Sequence, residues 1–168
     1  MGDIKNLDRQ DAIRKMKEMA ENIRVCMFCT EVKSMPFETR PMALQKVDEQ
    51  GNFWFLSGKE SGKNREIGHD HQVQLLFGKP DSSDFLSVAG RAEVSRDRRL
   101  IEETWNPIAK AWFPEGKDDP DLTVICVHPE ESYYWDTRHG RMVSLLKIAT
   151  AALTGNTMDD GIEGRLKI

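Results

Sequence analysis

The fold that we predict for this chain is decided by FETRPMALQKVDEQGNFWFLSGKESGK, residues Phe37–Lys63. Two runs of strand-forming residues, Thr39–Val47 and Phe53–Leu56, flank the polar turn Asp48–Gly51. Gly51 supplies the positive φ that such a hairpin connection usually needs. We therefore predict that the two runs pair as a β-hairpin, followed by a polar loop that opens a short helix.

Three polar side chains in this stretch predict a phosphate site. If the two strands pair through the turn, Arg40 in the first strand comes close to Ser61 and Lys63 in the loop and helix start. A guanidinium, a hydroxyl and an ammonium beside a helix N-terminus suit a doubly charged phosphate. Lys63 favours this interpretation, because a cation there opposes the helix dipole unless an anion is bound. Two alternatives remain open: Arg40 pairs with Glu38 or Asp48, or Ser61 serves only as a helix cap.

The remainder of the chain is rich in strands. We predict helices at Leu7–Asn22, Asp97–Trp105 and Met142–Leu153 from the spacing of their apolar residues. We predict strands at Arg24–Thr30, Gln72–Phe77, Phe85–Val94, Leu122–His128 and Ser132–Asp136. Gly90 within a strand predicts a bulge. These elements predict a mainly β fold, a small antiparallel barrel closed to protect its edges, as one domain over residues 1–168 with a helix near each end and a tail.

Composition excludes several classes of function. The net charge of −4 and the pI near 5.6 argue against binding to nucleic acid or to an anionic membrane. No apolar run approaches the roughly 20 residues of a membrane helix, and the start MGDIKNLDRQ lacks a signal-peptide core. The odd number of cysteines, 3, argues against a disulfide framework. We therefore predict a cytoplasmic protein.

Two short patterns resemble metal or redox motifs but predict neither. Cys26 and Cys29 lie three apart in a strand, so their thiols point to opposite faces, and no second C-x-x-C is present. His69 and His71 alternate without further ligands nearby. We predict no metal site. No pattern for hydrolytic catalysis stands out either.

The order of several motifs resembles the flavin-binding split-barrel family, whose best-known members are the pyridoxamine 5′-phosphate oxidases. In the hairpin region these motifs are RPMALQ (40–45), DEQG (48–51), FWFLS (53–57) and SGK (61–63). Further motifs resemble the bacterial general stress protein branch: SVAGRAE (87–93), WNP (105–107), AWFP (111–114) and YWD (134–136). The resemblance covers Leu7 to Asp136 and implies a small antiparallel split β-barrel of the FMN-binding type.

The resemblance also implies a ligand and a set of residues for it. The ligand is FMN, with FAD as an alternative, and Arg40, Ser61 and Lys63 hold its phosphate. The residues that it implies along the flavin are Pro41, Met42, Leu56, Ser57 and, late in the chain, Trp135. In this family the flavin lies at a twofold interface, so a homodimer is implied. NAD(P)H or a small planar substrate would exchange electrons with the flavin.

Two departures from the family argue against pyridoxamine phosphate oxidation. The segment RHGR (138–141) lacks the Arg-x-His spacing that grips the substrate phosphate in those oxidases, and Gln45 stands where they have a lysine. Three functions remain: an FMN-binding general-stress-type protein with at most weak reductase activity, a flavin-dependent oxidoreductase with a dedicated substrate, and a non-catalytic dimeric module with a vestigial pocket.

Two aromatic segments and the tail complete the predictions. The loop Trp112–Pro114 is predicted to be either core or interface, and a dimer contact near the ligand is favoured. Trp135 either stacks on a flat ligand or only anchors the sheet. The tail contains IEGR (162–165), which matches a protease-tag sequence, and we interpret it as native.

Overall fold

The computed structural model describes residues 3–4, 7, 9–137 and 161–167 of the 168-residue chain. Its helices are α1 (Arg9–Ile23), α2 (Gly62–His69) and α3 (Arg98–Thr104), with 3-10 turns at Pro107–Ala111 and Gly116–Asp118. Its strands are β1 (Asp3–Ile4), β2 (Val25–Thr30), β3 (Glu38–Ala43), β4 (Lys46–Val47), β5 (Phe53–Gly58), β6 (Gln72–Lys79), β7 (Asp84–Ser95), β8 (Leu122–Thr137) and β9 (Gly161–Lys167). The predicted helix Met142–Leu153 and the segment RHGR (138–141) lie outside the described residues.

The strands form one mainly antiparallel sheet in the order β1-β9-β8-β7-β6-β2-β3, in which only the short β1–β9 ladder is parallel. Strand β8 organises this sheet. Its one edge pairs with β7, while its other edge pairs first with β5 and then with β9. The tail is therefore part of the sheet, as strand β9.

The sheet curls until its two ends meet at one corner of the chain. The Leu44 amide donates to the Arg24 carbonyl beside β2, at 2.8 Å, and the Gln45 amide donates to the Trp54 carbonyl in β5, at 2.9 Å. Two consecutive residues thus bond to opposite ends of the sheet. This confirms the predicted split barrel, with one correction: among the described strands, the ends are joined by this corner and share no β3–β5 ladder.

The barrel interior is a single apolar core closed by α1. Phe28 and Phe55 pack edge to face, with ring centroids 5.2 Å apart, and α1 buries Ile13, Met16 and Ala20 against the sheet. This confirms the predicted first helix. A second, smaller cluster lies outside the barrel and consists of Ile101, Ala109, Phe113, Leu122 and Val124. That cluster fixes the segment after α3 in place.

Two strand predictions are wrong, one about strand pairing and one about strand continuity. Residues Thr39–Val47 are not one strand paired with β5: the part that carries Arg40 is β3, which pairs with β2, and only β4 pairs with β5. Residues Leu122–His128 and Ser132–Asp136 are not two strands but parts of the continuous β8. The apparent break at Pro129 is a bulge, where Glu130 has no partner in the ladder with β7.

The bulge opposite Gly90 is confirmed by a shift in the β7–β8 register between Ala89 and Gly90. A β-carbon on Gly90 would lie 2.4 Å from the His128 carbonyl oxygen, so only glycine fits without moving backbone. The cysteines Cys26, Cys29 and Cys126 are buried free thiols. Burial is the main cause that raises the pKa of Cys26 and of Cys126 to about 12.

The turn between β4 and β5 is held by one carboxylate. Gly51 has φ 89°, as predicted. Asp48 accepts from the main-chain amides of Gln50 and Asn52, from the Asn52 side chain and from the Trp54 indole, at 2.9–3.0 Å. Partial burial raises the pKa of Asp48, but these hydrogen bonds together outweigh it, and the net pKa lies below its usual 3.8. The charged carboxylate therefore stabilises the turn.

We expect Asp48→Ala to lower the free energy of unfolding by about 1–2 kcal/mol at neutral pH, because four donors lose their acceptor. A carboxylate with a depressed folded-state pKa stabilises the fold above its unfolded-state pKa, and this stabilisation is lost as the pH falls through the folded-state value. The difference between the two proteins should therefore shrink below pH 3.8. Denaturant unfolding of both proteins across this range checks the prediction, and a difference independent of pH would contradict it.

None of the helices within the described ranges is long and apolar enough to span a membrane.

Candidate functional site

A cavity of about 390 Å³ opens where the β3–β4 corner faces the end of β5. Three parts of the chain line it, together with Arg24 and Lys63: the edge of the corner, the end of β5, and the segment after α3. The lining residues from these parts are Pro41–Gln45, Leu56–Gly58, Asn106, Ile108, Ala109, Trp112 and Phe113. Its volume lies in the range of small-molecule sites, roughly 300–1,000 Å³.

Five of the eight predicted site residues line this cavity: Pro41, Met42, Leu56, Ser57 and Lys63. Met42 buries its side chain in the core cluster. Strand β3 has a partner, β2, on one side only within the described sheet, so the main-chain groups of its other edge face the cavity. A ligand lying along this edge would meet backbone donors and acceptors.

Lys63 is one of two basic residues that line the cavity, the other being Arg24. Lys63 lies in the first turn of α2 and is partly buried, and no carboxylate of the described residues lies within 4.0 Å of its amine. Burial lowers the pKa of Lys63, the nearby Arg40 lowers it further, and Glu66 raises it. A partly buried ammonium beside a second cation and without an ion pair favours the binding of an anion.

Arg40 lies beside Lys63 but points into a polar network next to the cavity. Its guanidinium donates to the Glu66 carboxylate at 2.7 Å, to the Thr30 hydroxyl at 2.6 Å and to the Phe28 carbonyl at 3.4 Å. Thr30 also donates to Glu66. The two alternatives from sequence, pairing with Glu38 or Asp48, are therefore wrong. Three of the five guanidinium N–H groups are engaged, which leaves donors for a further ligand.

The hydroxyl of Ser61 is close to the cavity, although its residue does not line it. Ser61 is the N-cap residue of α2, but its side chain makes no capping hydrogen bond, so capping does not explain the hydroxyl. Its Oγ lies 3.1 Å from the Oγ of Ser57, which donates to Asn64 at 2.8 Å. Two hydroxyls thus meet near the start of α2, whose first turn carries Lys63, and the free main-chain amides of a helix start favour anions.

Trp135 lies far from the cavity of its own chain. Ser57 pairs with Thr123 near the start of β8, whereas Trp135 pairs with Phe85 near its end. At about 3.3 Å per residue, roughly 40 Å of strand separates Thr123 from Trp135. The indole is 42% exposed and packs beside Tyr133, with centroids 4.7 Å apart. Only another copy of the chain could bring this residue to the cavity.

The segment after α3 lines the cavity of its own chain, whereas the sequence favoured a dimer contact near the ligand for Trp112–Pro114. The two aromatic residues of the predicted loop have different surroundings. Phe113 is buried in the second cluster, whereas Trp112 is 72% exposed and lines the cavity. The loop itself was visible in the sequence as an aromatic pair followed by proline. Its position against the β3–β4 corner was not, because the corner comes about 60 residues earlier.

No cluster of three or more histidine, cysteine, aspartate or glutamate side chains suited to a metal ion occurs in the described part of the chain.

The fold agrees with comparison to known proteins. A family model described as pyridoxamine 5′-phosphate oxidase like matches residues 11–159. The chain belongs to this family. Among its relatives, it is 26% identical to general stress protein 26 of Bacillus subtilis over 128 residues, which is 74% of this chain and 89% of that protein. It is 29% identical to protein bli-3 of Neurospora crassa over 126 residues, which is 70% of this chain but only 60% of the fungal protein.

Solved structures of other proteins share the fold. A Jannaschia sp. CCS1 structure described as a general stress protein 26 superposes with a TM-score of 0.79 at 24% identity, over 94% of this chain and 99% of that chain. A general stress FMN/FAD binding protein from Xanthomonas citri gives a TM-score of 0.65 at 21% identity, over 77% of this chain and 90% of that chain.

Proposed function

We propose that this chain is an FMN-binding protein of the general-stress type that works as a homodimer in the cytoplasm. The observation that carries the proposal is the partly buried Lys63 ammonium, which has no ion pair among the described residues and stands beside Arg40, Ser57 and Ser61 at the edge of a cavity. A dianionic phosphate satisfies this combination of charges and hydroxyls.

The remainder of the cavity fits the rest of such a ligand. Leu56, Ile108 and Trp112 make its wall apolar, and the edge of β3 offers main-chain groups. Pockets of this kind, apolar with a few polar groups at one place, are typical of cofactor sites. In the proposed complex Arg40, Ser61 and Lys63 hold the phosphate, while Pro41, Met42, Leu56 and Ser57 lie along the flavin.

The proposed activity is limited to what the flavin supports. When bound, FMN supplies the electron-transfer chemistry, and the chain positions it and controls access. The described residues that line the cavity include no carboxylate, imidazole or thiol, and the lysine among them is assigned to the phosphate, so no lining side chain in the described part of the chain is left to move a substrate proton. This favours a flavin protein with weak reductase activity toward NAD(P)H or a small planar substrate over an enzyme with a dedicated acid–base reaction.

The homodimer is supported by an apolar surface on the outside of the sheet. Val25, Met27, Leu76 and Phe85 are large apolar residues that remain exposed on neighbouring strands, and Met27 stands directly opposite Leu76. Contiguous exposed apolar surface of this kind commonly marks an interface. The exposed Trp135 extends it, and in the proposed dimer the partner's Trp135 reaches the flavin.

Flavin titration of the purified, flavin-free protein tests the proposal. We expect FMN to bind more tightly than riboflavin, because only FMN carries the phosphate, and FAD to bind no more tightly than FMN. Quenching of flavin fluorescence reports each affinity, and loss of absorbance on adding NADH reports reduction. Equal affinity for FMN and riboflavin would refute the phosphate site. Absence of all flavin binding would favour the vestigial module instead.

A further inference from the structure

The segment Asn106–Phe113 is fixed to the molecule at several points. The Asn106 side chain accepts from the Ile108 amide at 3.1 Å, and Ala109 and Phe113 are buried in the second cluster with Leu122 at the start of β8. The segment is therefore held against the same strand that pairs with β5. The exposure of its remaining side chains therefore results from this anchoring and not from loose packing of the segment.

This anchoring leaves two exposed apolar side chains at the cavity, Ile108 and Trp112, and the aromatic one of the two is Trp112. It is 72% exposed, although its neighbour Phe113 is buried, and it lines the cavity together with Lys63 and Leu56. A tryptophan left open to water forgoes much of the stabilisation that burying its ring would give. An indole and an ammonium in one cavity match a ligand that combines a flat ring with an anionic group.

We propose that Trp112 packs against the ring system of the bound flavin, within the same chain whose Lys63 holds the phosphate. The inference rests on the proposed function and adds to it a ring contact that comes from the segment after α3. It assigns the two ends of the ligand to different elements: α2 recognises the phosphate, and the 3-10 turn at Pro107–Ala111 with its following tryptophan recognises the ring.

This division of roles has a thermodynamic signature. A contact to the ring is made equally by FMN and riboflavin, whereas a contact to the phosphate is made by FMN alone. We therefore expect Trp112→Ala to weaken the binding of both flavins by a similar factor, about tenfold, as is usual for loss of one stacked aromatic. The preference for FMN over riboflavin should stay unchanged. Trp112→Phe, which keeps a ring, should restore most of the affinity.

The experiment measures FMN and riboflavin affinities of wild type, Trp112→Ala and Trp112→Phe. Met35→Ala serves as the matched control, because Met35 is also an exposed large apolar residue but does not line the cavity. Sedimentation of each variant reports its oligomeric state. Because Trp112 is exposed, its variants should remain folded, and circular dichroism verifies this.

The outcomes separate the inference from the proposed function. Parallel loss of both affinities supports the ring contact. Unchanged affinities in Trp112→Ala, with FMN still preferred over riboflavin, overturn the ring contact and leave the proposed function standing. A weakened dimer with unchanged flavin affinity also overturns it, since Trp112 would then be an interface residue. Failure of wild-type protein to bind either flavin overturns both.

Discussion

Replacing Lys63 by alanine will weaken FMN binding by about ten- to a hundredfold and leave riboflavin binding unchanged. The expected loss is about 1.5–3 kcal/mol, the usual contribution of a hydrogen bond to a charged group. Lys63 is suited to this test because its amine has no ion pair among the described residues. Its removal therefore leaves no carboxylate without a partner. It also removes an ammonium whose charged form is already disfavoured by burial and by the nearby Arg40.

Fluorescence titration with the two flavins measures this effect, and the riboflavin arm is its internal control. Lys59→Ala provides a matched lysine variant, because Lys59 lies in the loop that precedes α2 but pairs with Glu60 and does not line the cavity. We expect this control to bind FMN as wild type does. If Lys63→Ala and Lys59→Ala bound FMN with the same affinity, the phosphate assignment would be wrong.

Arg40→Ala should also weaken FMN binding, but its interpretation is less direct. Arg40 and Glu66 form a salt bridge in which both side chains are mostly buried, so the variant leaves a carboxylate without its cation. Part of the measured change would then come from rearrangement around Thr30 and Glu66. Thermal unfolding should show a lower stability for Arg40→Ala and an unchanged stability for Lys63→Ala, which separates the two causes.

Gly90→Ala will destabilise the fold by about 3 kcal/mol, at the upper end of the cost of overpacking. The added β-carbon would lie 2.4 Å from the His128 carbonyl oxygen and 3.1 Å from the Pro129 α-carbon. Both are main-chain atoms of β8, so the clash cannot be relieved by turning a side chain. The two longest strands would have to separate at the bulge.

Differential scanning calorimetry measures this effect, and we expect a fall in Tm of about 6–12 °C for a chain of this size. Gly68→Ala is the matched control. Gly68 lies inside α2, and a β-carbon there meets no atom within 4 Å, so alanine should stabilise the helix by about 0.5–1 kcal/mol. A similar Tm for the two variants would contradict the assigned role of the bulge.

The sequence predicted the elements of the barrel better than it predicted their pairing. The turn at Gly51 and the bulge at Gly90 each depend on one residue and its immediate neighbours, and both are confirmed. The pairing of β3 with β2 depends on the corner at Leu44 and Gln45, where the chain passes from one end of the sheet to the other. No local pattern marks such a crossing.

The same dependence on distant residues explains the error in the prediction of β8. The sequence predicted two separate strands, Leu122–His128 and Ser132–Asp136, yet β8 continues through Pro129, although proline cannot donate to a ladder. The signal that permits this is Gly90, about 40 residues earlier, whose missing side chain gives the bulge its room. Gly90 and Pro129 have to be considered together, and this requires knowing which residues of β7 and β8 stand opposite each other.

For the site, the residue types were predicted but their partners were not. Arg40 comes close to α2 because β3 pairs with β2, which carries Thr30, and not because it pairs with β5. Glu66 was not predicted, although it decides the orientation of the guanidinium. A glutamate in the helix that follows a predicted phosphate loop was the available signal, but nothing local connects it to a strand about 25 residues earlier.

The length of β8 has a genetic consequence for the proposed dimer. Because the cavity lined by Lys63 lies where β5 pairs with the start of β8, whereas Trp135 lies near the end of that strand, each flavin site of the proposed dimer would take its lysine from one copy and its late tryptophan from the other. A pair made of one Lys63→Ala chain and one Trp135→Ala chain would then contain one site with both defects and one site with neither. Two defective proteins would complement each other on mixing, recovering up to one intact site per mixed pair.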